Sequence, residues 1–277
     1  MQNLIIPNQI IYFHFLAEWV TGVYQAWVRD KNLTIYYEGP YGELLVPFLT
    51  NSTLSKIKIA GAYVPSRARL ADVQIQLTAH LLSYFCDFPD EPCITIIKRR
   101  GNRQWVDVSA LKRTIKDAVS GFEIVDVFLE DMTIKSQINL MRRTRILIGA
   151  HGSGLINAMF MQPNRGVIEI SPNSFAWPGY PPLCARASLV HVGLEAAACP
   201  EGDSEALPAE IVQFLDGRPL SSAIYSEIDM HPLLGRNKTV GPKLRKIIRD
   251  VTYVNIDYCN IAVECKKLLS KQSTAIP

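Results

Sequence analysis

The chain has 277 residues, with 29 basic and 26 acidic side chains and a formal net charge of +3. That excess is too small to hold nucleic acid by neutralising phosphates, and an apolar share of 48% beside 20% charged residues excludes a disordered or low-complexity chain. The length suits one large domain or two small ones, each able to bury a core.

Apolar and aromatic side chains recur at near-helical spacing over 10–28 and stop where Arg29, Asp30 and Lys31 turn polar, which predicts a helix. LTIYY (33–37) reads as a strand closed by Gly39 and Pro40, YGELLVPFL as a short helix cut by Pro47, and KIKIAGAYV as another strand. An amphipathic segment spans 71–85. The acidic, proline-bearing stretch 87–92 then reads as a linker between two lobes. Beyond it the alternation is regular: CITIIK strand, SALKRTIKDAV helix, FEIVDVF strand, TIKSQINLM helix capped by Thr133, RILIGA strand. Such repeats describe a parallel sheet with right-handed crossovers. Later, SLVHVGL reads as an outer strand and 200–241 as loop with a short helix near 210–215. DVTYVNID and YCNIAVECKKLLSK then give a last strand and a C-terminal helix.

The chemistry concentrates in 145–171, RILIGAHGSGLINAMFMQPNRGVIEIS. A buried strand runs into a glycine loop, a helix, a turn at Pro163 and Gly166, and a second buried strand carrying Glu169. The glycines at 152 and 154 can take positive φ or let a ligand approach the backbone. Their amides, with those of the first helical turn, form an anion site suited to phosphate. His151 sits at the carboxyl end of its strand, where ligands of open α/β sheets lie. Glu169 is placed to accept from ribose hydroxyls; a carboxylate in an apolar strand needs partners or a cleft.

Two basic clusters, KRRGNR (98–103) and RRTR (142–145), flank strand ends, and at least one is expected to face an anionic ligand. Six cysteines form no C-x-x-C pair and lie at no zinc spacing to histidine, so no metal site is read. Asp87 and Asp90 do not make a D-x-D loop, because Phe88 and Pro89 separate them. Sequons at Asn32, Asn51 and Asn237 are compatible with a secretory lumen, while no basic leader or membrane-length apolar run occurs.

IGAHGSGL leading into an apolar helix, a Pro-x-x-Gly turn and VIEI resembles the signature of glycosyltransferase family 61, with Ser153 where alanine is usual. ITIIKRRGNRQW (94–105) is similar to the family's strand and arginine-bearing loop, with Arg99 and Arg103 at the matching places. Gln137 matches a glutamine one helix before the glycine loop. FHFLAEWV (13–20) resembles an early helix carrying histidine and an acid, here His14 and Glu18.

The resemblance implies an α/β protein of two Rossmann-like lobes of the GT-B type, with the nucleotide site in the second. Residues 1–88 form a short acceptor-side lobe, 92–255 the nucleotide-sugar lobe and 256–277 a C-terminal helix and tail. It further implies an inverting hexosyl- or pentosyltransferase in the ER or Golgi lumen. The donor would be a UDP-sugar held by Arg99, Arg103, His151, Gly152, Ser153, Gly154 and Glu169. The acceptor would be a hydroxyl of a glycan or glycoprotein, with His14 or Glu18 as base and no cofactor required. Arg67 and Arg69 could also reach the cleft.

Two other readings stay open. G-x-G at 152–154 with Glu169 downstream also fits an NAD(P)-dependent oxidoreductase, although Asn157 stands where the third glycine belongs. The fold could also persist as a non-catalytic nucleotide-binding relative. HGSG alone resembles an esterase oxyanion loop, but no G-x-S-x-G elbow occurs.

Overall fold

The computed structural model describes residues 2–5, 12–31, 33–37, 39, 41–49, 70–87, 91–172, 179–198 and 253–273. The strand expected in KIKIAGAYV, the helix near 210–215, Arg67 and Arg69, and the three sequon asparagines lie outside them.

Strand β1 (Gln2–Ile5) pairs in parallel with β2 (Leu33–Tyr36). Between them run α1 (Tyr12–His14), a π-helical segment (Phe15–Val20) and α2 (Thr21–Arg29), one apolar stretch as the spacing requires. Gly42–Phe48 is a 3-10 helix containing Pro47, and α3 spans Leu70–Phe85. The remaining elements are β3 (Cys93–Lys98), β4 (Gln104–Trp105), α4 (Val108–Ala118), β5 (Glu123–Phe128), α5 (Ile134–Arg143), β6 (Thr144–Ala150), β7 (Gly166–Pro172), α6 (Tyr180–Arg186), β8 (Val190–Ala198), β9 (Tyr253–Asn255) and α7 (Tyr258–Ser273). Thr133 caps α5 as expected, its Oγ1 accepting from the Ser136 amide, and Asp107 does the same for α4 through Ala110.

The main sheet has the order β4-β9-β8-β7-β6-β3-β5. β5, β3, β6, β7 and β8 are mutually parallel, and β9 joins antiparallel at the end of β8. SLVHVGL thus forms the outer end of the parallel set: among the described residues it pairs with β7 alone, and β9 meets β8 only beyond it, where Ala197 and Ala198 pair with Asn255 and Val254. Alternate residues of each buried strand face opposite layers. Ile94, Ile96, Ile146, Ile148, Ile168 and Ile170 meet Leu111 and Ile115 of α4 and Ile261 and Leu268 of α7. Ile97, Leu147 and Val167 face the other way, into a cluster holding Ile138 of α5, Leu77 of α3 and Phe15, Leu16 and Val20 near the N-terminus. Among the described residues, the N-terminal elements and the main sheet thus share one apolar cluster. The N-terminal elements described there are a two-stranded sheet and helices.

The first strand of the parallel set, β3, lies between β5 and β6, so the chain moves outward to one side and then to the other. The topological switch falls between β3 and β6. The loops leaving β3 at Lys98 and β6 at Ala150 therefore meet at the place where such sheets bind ligands.

Candidate functional site

A cavity of about 200 Å³ opens at that switch. Its walls come from Lys98, Arg99 and Arg100 after β3, Ser153 and Gly154 after β6, Gln137 of α5, and Tyr12 and Tyr41 from the N-terminal elements. Of the two basic clusters, KRRGNR lines the cavity and RRTR does not.

Ser153–Phe160 is a 3-10 helix rather than the α-helix expected from its spacing, so its amides close tighter turns. Its first bond runs from the Leu155 amide to the Gly152 carbonyl. Among the described residues the amides of Ser153 and Gly154 have no hydrogen-bond partner. Neither glycine of the loop needs a left-handed φ; Gly152 is extended, with φ 163°. The reason for glycine is contact: a Cβ at 152 would collide with Nη1 of Arg99. The guanidinium thus lies directly on the loop backbone.

Arg99 is steered there by Asn102, whose carbonyl accepts from Nε at 3.2 Å and whose Oδ1 accepts from Nη2 at 3.0 Å. Burial lowers its pKa, with Tyr180 and Glu130 acting in the opposite direction; a guanidinium stays a cation regardless. No carboxylate among the described residues forms an ion pair with it. Its neighbours differ. Lys98 pairs with Asp126 at 2.7 Å, and Arg100 pairs with Asp131 at 2.7 Å and Glu130 at 3.3 Å. Arg103, buried, donates to the His151 carbonyl from a backbone with φ 55°, in the left-handed region that a residue bearing a side chain rarely takes.

Glu169, 2% exposed, accepts from two imidazoles: His151 Nδ1 at 2.5 Å on one oxygen and His191 Nε2 at 2.7 Å on the other. Burial works to raise its pKa, but the hydrogen bonds from both histidines and their charge outweigh it, and the net shift is downward. The carboxylate expected to face ribose is thus already engaged on both oxygens. Above His151 stands Tyr180, edge-on at 5.6 Å, its hydroxyl donating to the Gly152 carbonyl at 2.6 Å. Burial first, then the charge of Glu169, raises the Tyr180 pKa and keeps that hydroxyl a donor.

A second polar chain anchors the opposite wall. Tyr12 donates to Asn157 Oδ1 at 3.0 Å, and Asn157 Nδ2 donates to Gln137 Oε1 at 3.2 Å. Gln137 Nε2 in turn donates to the carbonyls of Leu129 and Met132. Asn157, which breaks the dinucleotide glycine pattern, is a fully buried joint between the N-terminal helix and the glycine loop.

His14 and Glu18 pair with each other, Nδ1 to Oε1 at 2.6 Å. Neither lines the cavity. His14 is 48% exposed, not packed as its aromatic surroundings suggest. Tyr12 and Phe13 beside it do reach inward, the latter meeting Tyr180 at 6.0 Å. Of the residues expected to hold the donor, Arg99, Ser153 and Gly154 line the cavity; Arg103, His151, Gly152 and Glu169 lie at the same strand ends and are joined to them by the contacts above, while His14 and Glu18 stay at the helix surface. It adds Tyr12, Tyr41, Tyr180 and His191. The sequence does carry a signal for His191: a histidine two residues from a glycine in an otherwise apolar strand.

A family model described as Glycosyltransferase 61 matches residues 12–168, which hold the arginine loop, Gln137, the glycine loop and the start of VIEI. The chain belongs to glycosyltransferase family 61. A β-1,2-xylosyltransferase of Arabidopsis thaliana is 30% identical over 95 residues, 34% of this chain and 17% of that protein. The match thus spans less than a fifth of that relative. Among solved structures, a dodecameric iron-containing heptosyltransferase in complex with ADP-D-β-D-heptose is 11% identical, with a TM-score of 0.44 over 99% of this chain and 77% of that one. At that level the likeness bears on neither fold nor ligand.

Family membership accords with the resemblance in HGSG and VIEI. No described helix is long and apolar enough to cross a membrane, and the described cysteines, 86, 93, 184, 259 and 265, are free thiols.

Proposed function

We propose that this chain binds a UDP-sugar at the β3/β6 switch and transfers its sugar, a hexose or pentose, to a hydroxyl of a glycan or glycoprotein with inversion. The observation that carries this reading is the Arg99 guanidinium laid on the Gly152 backbone with no carboxylate partner among the described residues, beside the Ser153 and Gly154 amides. A diphosphate supplies the anion such an arrangement lacks. In the displacement, the acceptor oxygen attacks the anomeric carbon as the bond to the β-phosphate oxygen breaks, and UDP leaves with the bonding pair. Arg99 and the loop amides stabilise that departing charge. The acceptor proton needs a base on the facing side. The resemblance offers His14, oriented by Glu18, for that role; two positions along the helix from Tyr12, it stands away from the cavity. This reading requires no divalent ion, so a chelator should leave binding unchanged.

Both Glu169 oxygens are taken by histidines, so that acid is not offered to ribose in this reading or in that of an NAD(P)-dependent oxidoreductase, and the choice between UDP and NAD falls to experiment. The standing of His14 and Glu18 off the cavity supports a second reading, donor binding without transfer. Calorimetric titration with UDP and with NAD, repeated on Arg99→Ala, separates the cases. Saturable UDP binding lost in the variant is the expected result. NAD binding without UDP binding would overturn it, and UDP binding with no transfer from any UDP-sugar would leave the binding-only reading.

A further inference from the structure

The strand register around Glu169 shows why two histidines reach it. On β6 its partner is Gly149, and on β8 its partner is Gly193. Both lack the side chain that would stand directly beside an acid on the pleat. His151 lies two residues beyond Gly149, and His191 two residues before Gly193, so each shares a face with its glycine. Cross-strand diagonals of this kind are within reach of a long or aromatic side chain. The space over Gly193 is where the His191 ring leans: a Cβ built at 193 would meet its Cε1 at 3.8 Å. The motif is symmetrical, glycine and histidine on either side of one buried carboxylate.

An ionised carboxylate only accepts, so the ring nitrogens facing it, Nδ1 of His151 and Nε2 of His191, both carry hydrogens. The two histidines do not occupy equivalent places. His151 opens the glycine loop, with Arg103 on its carbonyl and Tyr180 against its ring. His191 is the second residue of β8, on the far side of Glu169 from the loop; neither histidine lines the cavity wall, so each acts from behind it. Without it, Oε2 of Glu169 would lose its partner in an environment only 2% exposed, and the carboxylate would be free to turn or take up a proton.

We propose that His191 is a positioning residue for the donor site. By donating from Nε2 to Oε2 of Glu169 it fixes the plane of that carboxylate, which through Oε1 fixes the ring of His151 and its tautomer at the head of the anion loop. This rests on the reading of that loop as the site of a UDP-sugar diphosphate. A histidine whose far nitrogen is held by a carboxylate is the general means of setting which nitrogen is offered to a ligand.

The test combines calorimetry with UDP and nitrogen-15 spectra of the histidine rings in the intact chain. His191→Phe fills the strand position but donates nothing; UDP affinity is expected to fall about tenfold, the effect of one lost charge-assisted hydrogen bond. His191→Gln places an amide Nε2 near the lost donor and is expected to recover most of that loss, which guards against a variant that merely folds poorly. In a His151→Ala background the further change His191→Phe should have no effect on UDP binding, because its route to the ligand is gone. Additive losses in the double variant would overturn the proposal. The ring spectra decide independently of UDP: the parent should show His151 protonated at Nδ1, and His191→Phe should shift that signal. An unchanged His151 signal would overturn the positioning role. Failure of the parent to bind UDP would overturn the donor-site reading and leave the coupling of the two rings to stand or fall on the spectra.

Discussion

Two arginine-rich stretches of nearly the same composition do different things in this molecule. KRRGNR comes after a strand and RRTR precedes one. In a parallel sheet that difference puts the first at the carboxyl ends, where the chain breaks away from the ladder and leaves a crevice, and the second at the amino ends. At the amino ends Arg143 pairs with Glu123, the first residue of β5, at 2.9 Å, and Arg142 donates to the Phe160 carbonyl. Those arginines close loops. At the carboxyl ends Lys98 and Arg100 are likewise neutralised by acids, while Arg99 lies on the glycine loop. Composition alone does not mark a binding site; the side of the strand does.

If the donor diphosphate lies on Arg99 as proposed, Arg99→Ala should have the largest effect, lowering UDP affinity about 100-fold by removing a guanidinium from the phosphate. Calorimetry that finds less than about a fivefold change would put the diphosphate elsewhere.

The acids at the two ends offer the next contrast. Glu169→Gln should cost about 1–3 kcal/mol at pH 7, since one of its two histidine donors loses an acceptor, whereas Glu123→Gln at the exposed end should be nearly neutral. The pH dependence has a definite sign. The folded pKa of Glu169 is depressed below the ordinary 4.5, so its contribution is complete above that value and is lost as pH falls through the depressed one. The groups that face it are His151 and His191, with the Tyr180 hydroxyl and Cys184 thiol nearby. Urea midpoints of Glu169→Gln should therefore decline less steeply than those of the parent below pH 4.5. Asp126, depressed by the hydrogen bonds of Lys112 and Lys98, contributes with the same sign and is retained in both. Parallel acid profiles would show that Glu169 is not held as an anion.

Gly152→Ala separates affinity from stability. The new methyl meets the far end of a flexible side chain, so the melting temperature should barely move while Arg99 is pushed off the loop; UDP affinity should drop about tenfold. A large fall in thermal stability with intact affinity would contradict the contact. Smallest of all, Arg143→Ala should change stability by less than about 1 kcal/mol and UDP binding by less than about twofold, as expected of a pair whose acid is 61% exposed.

Much of this organisation is legible in the sequence. The β3 to β7 alternation tracks the apolar runs, and the Thr133 cap is readable because a side-chain oxygen ahead of a helix has one local use. The helical form of 153–160 is not, since two glycines and a short apolar stretch support 3-10 and α turns alike. Glu169 is recognisable as unusual, yet its partners are not: pairing it with His191 requires the register of β7 against β8, which no single strand encodes. For His14 the reverse holds. Its aromatic neighbours Phe13 and Phe15 suggest burial, but an extra residue in the adjoining π-helical turn rotates the helix faces relative to an ideal repeat.

The loop bearing Arg99 and Arg103 is held shut at its base by one side chain. Trp105, 5% exposed, donates from its indole to the Ile97 carbonyl at 2.8 Å, spanning the arginines, while Gln104 reaches back to Gly101. The conformational freedom of two long cations is thereby surrendered when the chain folds, before any ligand arrives. On the proposed reading an incoming anion meets a rigid receptor, so tightness depends as much on an indole away from the ligand as on the guanidinium offered to it.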